Sequence, residues 1–141
     1  MFSPRTLAVR CMVAAALSLG ATAALADTGH WQAQADSVAQ AVDAAEAAFA
    51  KGDVESAKRS VTAAYFSNFE DSKLEAAIRK YVGSKRAAEI EKSFATLRKA
   101  MAASDAGQVK AVAQSLRADI ATEARKLDEA KVAPNVFEVN Q

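Results

Sequence analysis

Apolar residues along this chain return every three or four positions, the spacing of one helix face. Trp31, Ala35, Val38, Val42, Ala45 and Phe49 make one seam, about five turns long at 3.6 residues per turn. Lys51-Gly52 marks its end: a cation in the last turn, then the residue that best tolerates left-handed backbone. Asp53 is placed to cap a second helix, with Val54, Ala57, Val61 and then Ala64 or Tyr65 inward. Asn68 to Ser72 reads as a break. Ser72-Lys73-Leu74-Glu75 has the form of a capping box and opens a short third helix through Leu74, Ile78 and Val82, which Gly83 ends. Ser84 is expected to cap a fourth helix with Ala87, Ile90, Phe94, Leu97 and Met101 inward. Asp105 and Gln108 frame one more start, after which Val109, Val112, Leu116, Ile120, Ala124 and Leu127 share a face until Pro134.

Seams of this kind joined by short loops call for shallow, antiparallel helix packing. No strand-like alternation of useful length interrupts them. The expected fold is therefore all-α: an antiparallel four-helix bundle with one additional short helix. The many alanines imply close helix approach and thin core layers, so each large ring should fill a wide share of the interior.

The bundle pattern begins only after residue 26, and what precedes it reads as an export signal. Arg5 and Arg10 form a basic start, Met12 to Leu19 carry most of a short apolar core, and Ala24-Leu25-Ala26 gives the small-x-small cleavage pattern. A membrane span needs about 18 or more apolar residues, and this run is shorter. The organisation expected is a cleaved signal over 1–26, a helical domain over 27–133 and a tail over 134–141, in a periplasmic protein. Cleavage changes the charge. The whole chain has 18 Lys and Arg against 17 Asp and Glu, and losing Arg5 and Arg10 leaves a slight acidic excess. Such a chain has no cationic field to draw nucleic acid or anionic lipid. Cys11, the one cysteine, leaves with the signal, and with it any disulfide, thiolate metal site or thiol nucleophile.

Enzymatic motifs are missing too. The one histidine, His30, lies near the expected mature N-terminus, where chains fray. A Ser-His-acid arrangement needs its histidine held rigidly. There is no phosphate-binding glycine loop, HExxH or CxxCH, so no nucleotide or haem is expected and the chain reads as a non-enzyme. What stands out is residues 64–81, AYFSNFEDSKLEAAIRKY, which hold Tyr65, Phe66, Phe69 and Tyr81, half of the chain's Phe and Tyr residues, beside a run of acids. Glu91, Phe94 and Arg98 share one face of the fourth helix, and Glu75 and Arg79 are four apart in the favourable acid-first order. If the third and fourth helices fold back across Gly83, then Glu70, Glu75 and Glu91 converge. Clustered carboxylates suit hard or borderline cations such as iron or manganese. The same spacing also suits a purely structural role, with Glu75 as a cap and Glu91 paired to Arg79 and Arg98.

Residues 64–101 resemble the periplasmic N-terminal domain of bacterial high-affinity iron permeases. The likeness rests on Ala64-Tyr65-Phe66, Phe69-Glu70, Glu75, Ile78-Arg79, Ile90-Glu91, Phe94 and Leu97-Arg98. In that family the domain is a helical bundle ahead of a membrane permease whose spans carry R-E-x-x-E motifs, and this sequence has neither the spans nor those motifs. The resemblance implies an accessory, free-standing or split-off module of iron uptake, working with a membrane iron permease or a periplasmic iron carrier. It implies an iron ion bound by Glu70, Glu75 and Glu91, with Arg79 and Arg98 orienting the acids and Tyr65 as a phenolate neighbour. The competing expectation is an interaction protein whose ring-rich segment docks on such a partner, with the acids in ion pairs only.

Overall fold

A computed structural model describes residues 29–135, so the expected signal and most of the tail (136–141) lie outside the described residues. Among the described residues the chain is entirely helical, in the order α1 (His30–Ala50), α2 (Val54–Ala63), a π-helical segment (Ala64–Glu70), α3 (Leu74–Tyr81), α4 (Ser84–Ala102) and α5 (Ala106–Glu129). No strand is present among them. None of these helices is long and apolar enough to cross a membrane. α1 packs on α2 and α5, α4 packs on the same two helices, α3 rests on α4, and the π segment lies against α1.

Most seam positions bury as expected, while Phe49, Val54 and Val82 are only partly buried. Trp31, Ala35, Val38, Val42 and Ala45 are buried along α1, and Ala87, Ile90, Phe94, Leu97 and Met101 along α4. Burying one such leucine or isoleucine side chain is worth about 1.5–3 kcal/mol, so these stripes, and not local propensity, hold the fold. α5 differs in detail. Val112 is only partly buried and Ala113 takes the inward place.

Helix ends follow local chemistry in some places and depart from the expectation in others. Gly52 has φ +83° and lets Asp53 N–H reach back to Ala48 O at 3.0 Å, closing α1. Asp53 and Asp105 cap α2 and α5 by accepting from Ser56 N–H (2.9 Å) and Gln108 N–H (3.0 Å). The expected box at Ser72 does not form. Lys73 takes the left-handed conformation (φ 68°) directly before α3, and the Ser72 hydroxyl accepts only from Leu74 N–H at 3.3 Å. Glu75 is thereby released from capping. Nor does Ser84 cap α4: it is already the first helical residue, after Gly83 at φ +144°, and no side chain caps that end.

The start of α1 is capped from the far end of the chain. Asp128 on α5 accepts from Trp31 N–H at 3.0 Å and Gln32 N–H at 2.8 Å, while the buried Trp31 indole donates to Val132 O at 2.7 Å. A Cβ on Gly29 would lie 2.2 Å from the Asp128 carboxyl carbon. Asp128→Ala should therefore lower stability by about 1–2 kcal/mol, the upper part of the range for a lost N-cap, measured by urea unfolding. Gly29→Ala should lower it in the same direction by displacing that carboxylate. Wild-type stability in both variants would show that the cap contributes nothing.

Candidate acidic site and adjoining groove

The break expected at Asn68 to Ser72 is shorter than that. The helix runs on through Glu70 as a wide turn, seen in the bond from Asp71 N–H to Phe66 O at 2.9 Å, five residues back. Only residues 71–73 break it. Ser67, Asn68 and Asp71 are turn formers by propensity, but tertiary contacts override them. Phe69 is fully buried, and the Asn68 amide finds a partner across the helix pair, donating to the Ser37 hydroxyl at 2.7 Å. π turns hold more residues per turn and often mark functional places. This one puts Tyr65 and Phe69 beside Phe94 of α4, with centroids 5.4 Å apart for Tyr65–Phe94 and 5.3 Å for Phe69–Phe94.

Below those rings the predicted acids meet around one cation. Arg79 Nε donates to Glu75 Oε1 at 2.6 Å, and Arg79 Nη2 donates to Glu91 Oε1, also at 2.6 Å. One guanidinium thus bridges α3 and α4 across the Gly83 turn. The hydrogen bond to Glu75, above all, holds Arg79 above its ordinary value. Burial pushes the Glu91 carboxyl up; Arg79 opposes this, and Glu75, within hydrogen-bonding reach, and Glu70 push it further up. Tyr65 responds in the same way. Burial first, then Glu91, Glu70 and Glu75, push its phenol up, with Arg79 opposing.

Glu70, Glu75 and Glu91 are thus near enough to act on one another, but not equally placed. Glu75 and Glu91 share Arg79. Glu70 is exposed at the end of the π segment and acts through its field. Arg98 makes no ion pair with Glu91 and lines the groove above it instead. Among the described residues no group of three or more His, Cys, Asp and Glu side chains has the spacing of a ready-made metal site. His30 opens α1 on the exposed surface, its ring edge-on to Trp31.

The groove has a volume of about 340 Å³ and is formed by Val61, Tyr65, Phe66, Phe94, Glu91 and Arg98 among others. Phe66 is 53 % exposed on its rim although its neighbour in sequence, Tyr65, is half-buried. The sequence pattern, which places the large rings inside, does not reveal this, because Phe66 lies only three residues before the buried Phe69. A second polar cluster escaped it as well. Glu123 of α5, 2 % exposed, accepts from Arg86 Nε and Lys126 Nζ, each at 2.8 Å, while Arg86 Nη2 donates to Asp119 at 2.7 Å. The signal was available: Glu123 falls between Ile120, Ala124 and Leu127 on the inward stripe.

No family model matches this chain, and neither a curated protein nor a solved structure does.

Proposed function

We propose that the chain is an exported accessory module of an iron-uptake system, an antiparallel four-helix bundle with one short extra helix, that takes iron as cargo and works with a membrane permease or a periplasmic iron carrier. The observation that carries this reading is the Arg79 bridge. Glu75 and Glu91 are drawn to one guanidinium whose side chain is 44 % exposed, with Glu70 in electrostatic reach and the Tyr65 phenol alongside. Arg79 is a built-in cation that balances the acids when no metal is bound. Swinging it outward would open two carboxylates to a hard cation, with Glu70 free to close as a third ligand. The module binds and passes on the ion without redox or bond-making chemistry of its own.

This mechanism makes Arg79 a competitor of the metal. Anaerobic Fe²⁺, or Mn²⁺ as its redox-stable substitute, should raise the thermal midpoint of the protein. A ligand at 100 times its Kd adds about 2.7 kcal/mol of stability. Glu75→Gln with Glu91→Gln should abolish the rise, and Arg79→Gln should enlarge it. If neither the wild type nor Arg79→Gln responds to either metal, the acids are a structural clamp between α3 and α4.

A second reading, docking on a permease domain or iron carrier without metal, is favoured by one observation: the large exposed ring of Phe66. It predicts that Phe66→Ala loses such a partner while iron and manganese leave the midpoint unchanged.

A further inference from the structure

A second, independent feature of the α2–α4 face points to a small-molecule ligand. Beside the groove just described lies another of about 340 Å³, bounded by Lys58, Arg98 and Lys99 together with Ala95 and Ala102. The two share Ala95 and Arg98. On α4 the lining residues Glu91, Phe94, Ala95, Arg98, Lys99 and Ala102 follow the three- and four-residue steps of one face. Their span is about 16 Å at 1.5 Å per residue. Phe66 lies opposite Glu91 at one end, and Lys58 opposite Lys99 and Ala102 at the other.

The two adjoining grooves are therefore chemically graded. One is apolar and ringed: Phe66 meets Tyr65 edge-on at 4.9 Å, and Tyr65 meets Phe94 at 5.4 Å. The other is cationic. Lys58 is paired to Glu55 at 2.9 Å, but among the described residues neither Arg98 nor Lys99 has an ion-pair partner. The Glu55 carboxylate is held below its ordinary value by its hydrogen bond to Lys58 first, with smaller contributions from Arg59 and Arg98. At the apolar end the carboxylate of Glu91 is already matched by Arg79 and would turn an anionic head away.

We propose that this pair of grooves binds a compact aromatic carboxylate, its ring against Phe66 and Phe94 and its carboxylate at Arg98 and Lys99. Each cavity falls in the range of small-molecule sites, about 300–1,000 Å³. The pair offers little to a protein partner: among the described residues the large exposed apolar side chains are Phe66 and Tyr81 alone. A guanidinium matches a carboxylate in two-pronged fashion, and an edge-presenting ring cluster accepts one more ring at low cost. The inference stands apart from metal binding: its ligand-contacting groups are Phe66, Phe94, Arg98 and Lys99, and iron has no part in it.

The test uses 2-naphthoate, with uncharged 2-naphthylmethanol and cationic 2-naphthylmethylammonium as controls, followed by two-dimensional amide NMR of the metal-free protein. Naphthoate should shift amides in 58–66 and 94–99 with saturation near millimolar concentration, a typical fragment affinity. The two controls should bind there at least about tenfold more weakly, a difference near 1.4 kcal/mol. Arg98→Glu with Lys99→Glu should weaken naphthoate by at least the same factor, and Phe66→Ser should remove the shifts, with helicity by circular dichroism unchanged in both. Both substitutions are at exposed positions, so folding is kept. Absent or scattered shifts, equal binding of the alcohol, or undiminished binding by the charge-reversed protein would overturn the proposal. So would perturbation of this face only by a larger protein and not by naphthoate.

Discussion

Arg86→Ala is expected to cost about 3 kcal/mol of folding stability at neutral pH, the low end for breaking a buried ion pair. Glu123 is almost fully buried, with Arg86 on one oxygen and Lys126 on the other. Removing Arg86 leaves that oxygen without its partner inside the helix packing, and Asp119 loses its 2.7 Å bond as well. Lys126 is half-exposed and remains, which keeps the loss from being larger. The pH dependence separates this from a simple packing defect. Burial by itself pushes Glu123 up, but hydrogen bonds and charge from Lys126 and Arg86 hold it below its ordinary 4.5. A carboxyl lowered by folding contributes stability above its unfolded value and loses it as pH falls through the folded one. In the variant burial dominates, Glu123 accepts a proton more readily, and that acid loss shrinks. The gap between variant and wild type should therefore narrow as pH falls below the carboxyl's ordinary 4.5. Arg86→Met combined with Glu123→Leu should recover much of the loss, because well-packed apolar groups replace buried ion pairs at little or no cost. Urea unfolding across pH checks all three. A gap independent of pH, or a double variant as unstable as Arg86→Ala, would show that the pair is not the cause.

Phe69→Ala is expected to be at least as damaging, at about 3–5 kcal/mol for a buried ring truncated to methyl. Phe69 is fully buried, and its ring packs on Phe94 at 5.3 Å and Tyr65 at 6.2 Å. It also anchors the π segment against Phe94 of α4, so its loss frees the turn that places Tyr65 and Glu70. Phe66, three residues earlier on the same segment, is mostly in solvent, and Phe66→Ala should change stability by no more than about 0.5 kcal/mol. The contrast between the two is the useful quantity, since residue type and helix segment are shared. Similar losses for both, in urea unfolding with unchanged m-values, would contradict the burial pattern.

The seams of α1, α4 and most of α5 could be read from the chain because their periodicity is long and their inward residues are apolar. Gly52 and Asp53 were readable because the chemistry that ends one helix and starts the next is local. Residues 64–73 were not. There a local preference for a turn competes with the burial of Phe69 against Phe94 of α4 and with the Asn68–Ser37 bond to α1. Sequence spacing carries no trace of a partner 31 residues away. Glu75 was misassigned to a cap for a related reason, because the left-handed Lys73 moves the helix start by one residue; its pairing with Arg79, four residues on, was legible from spacing. The convergence of Glu75 with Glu91 was legible as a possibility of the Gly83 turn. That a single arginine joins them, while Arg98 goes to the groove, depends on side-chain packing between α3 and α4, which no spacing rule encodes.

The central claim is that Glu70, Glu75 and Glu91 form one cation site kept balanced by Arg79. Paramagnetic broadening by Mn²⁺ tests it most directly, because the ion erases amide NMR signals nearest to where it binds. Substoichiometric Mn²⁺ should first remove signals around residues 70–75 and 90–92, more strongly in Arg79→Gln and not at all in the Glu75→Gln, Glu91→Gln protein. Broadening centred elsewhere, such as at Asp119 and Glu89, or none at these residues even without Arg79, would contradict the account.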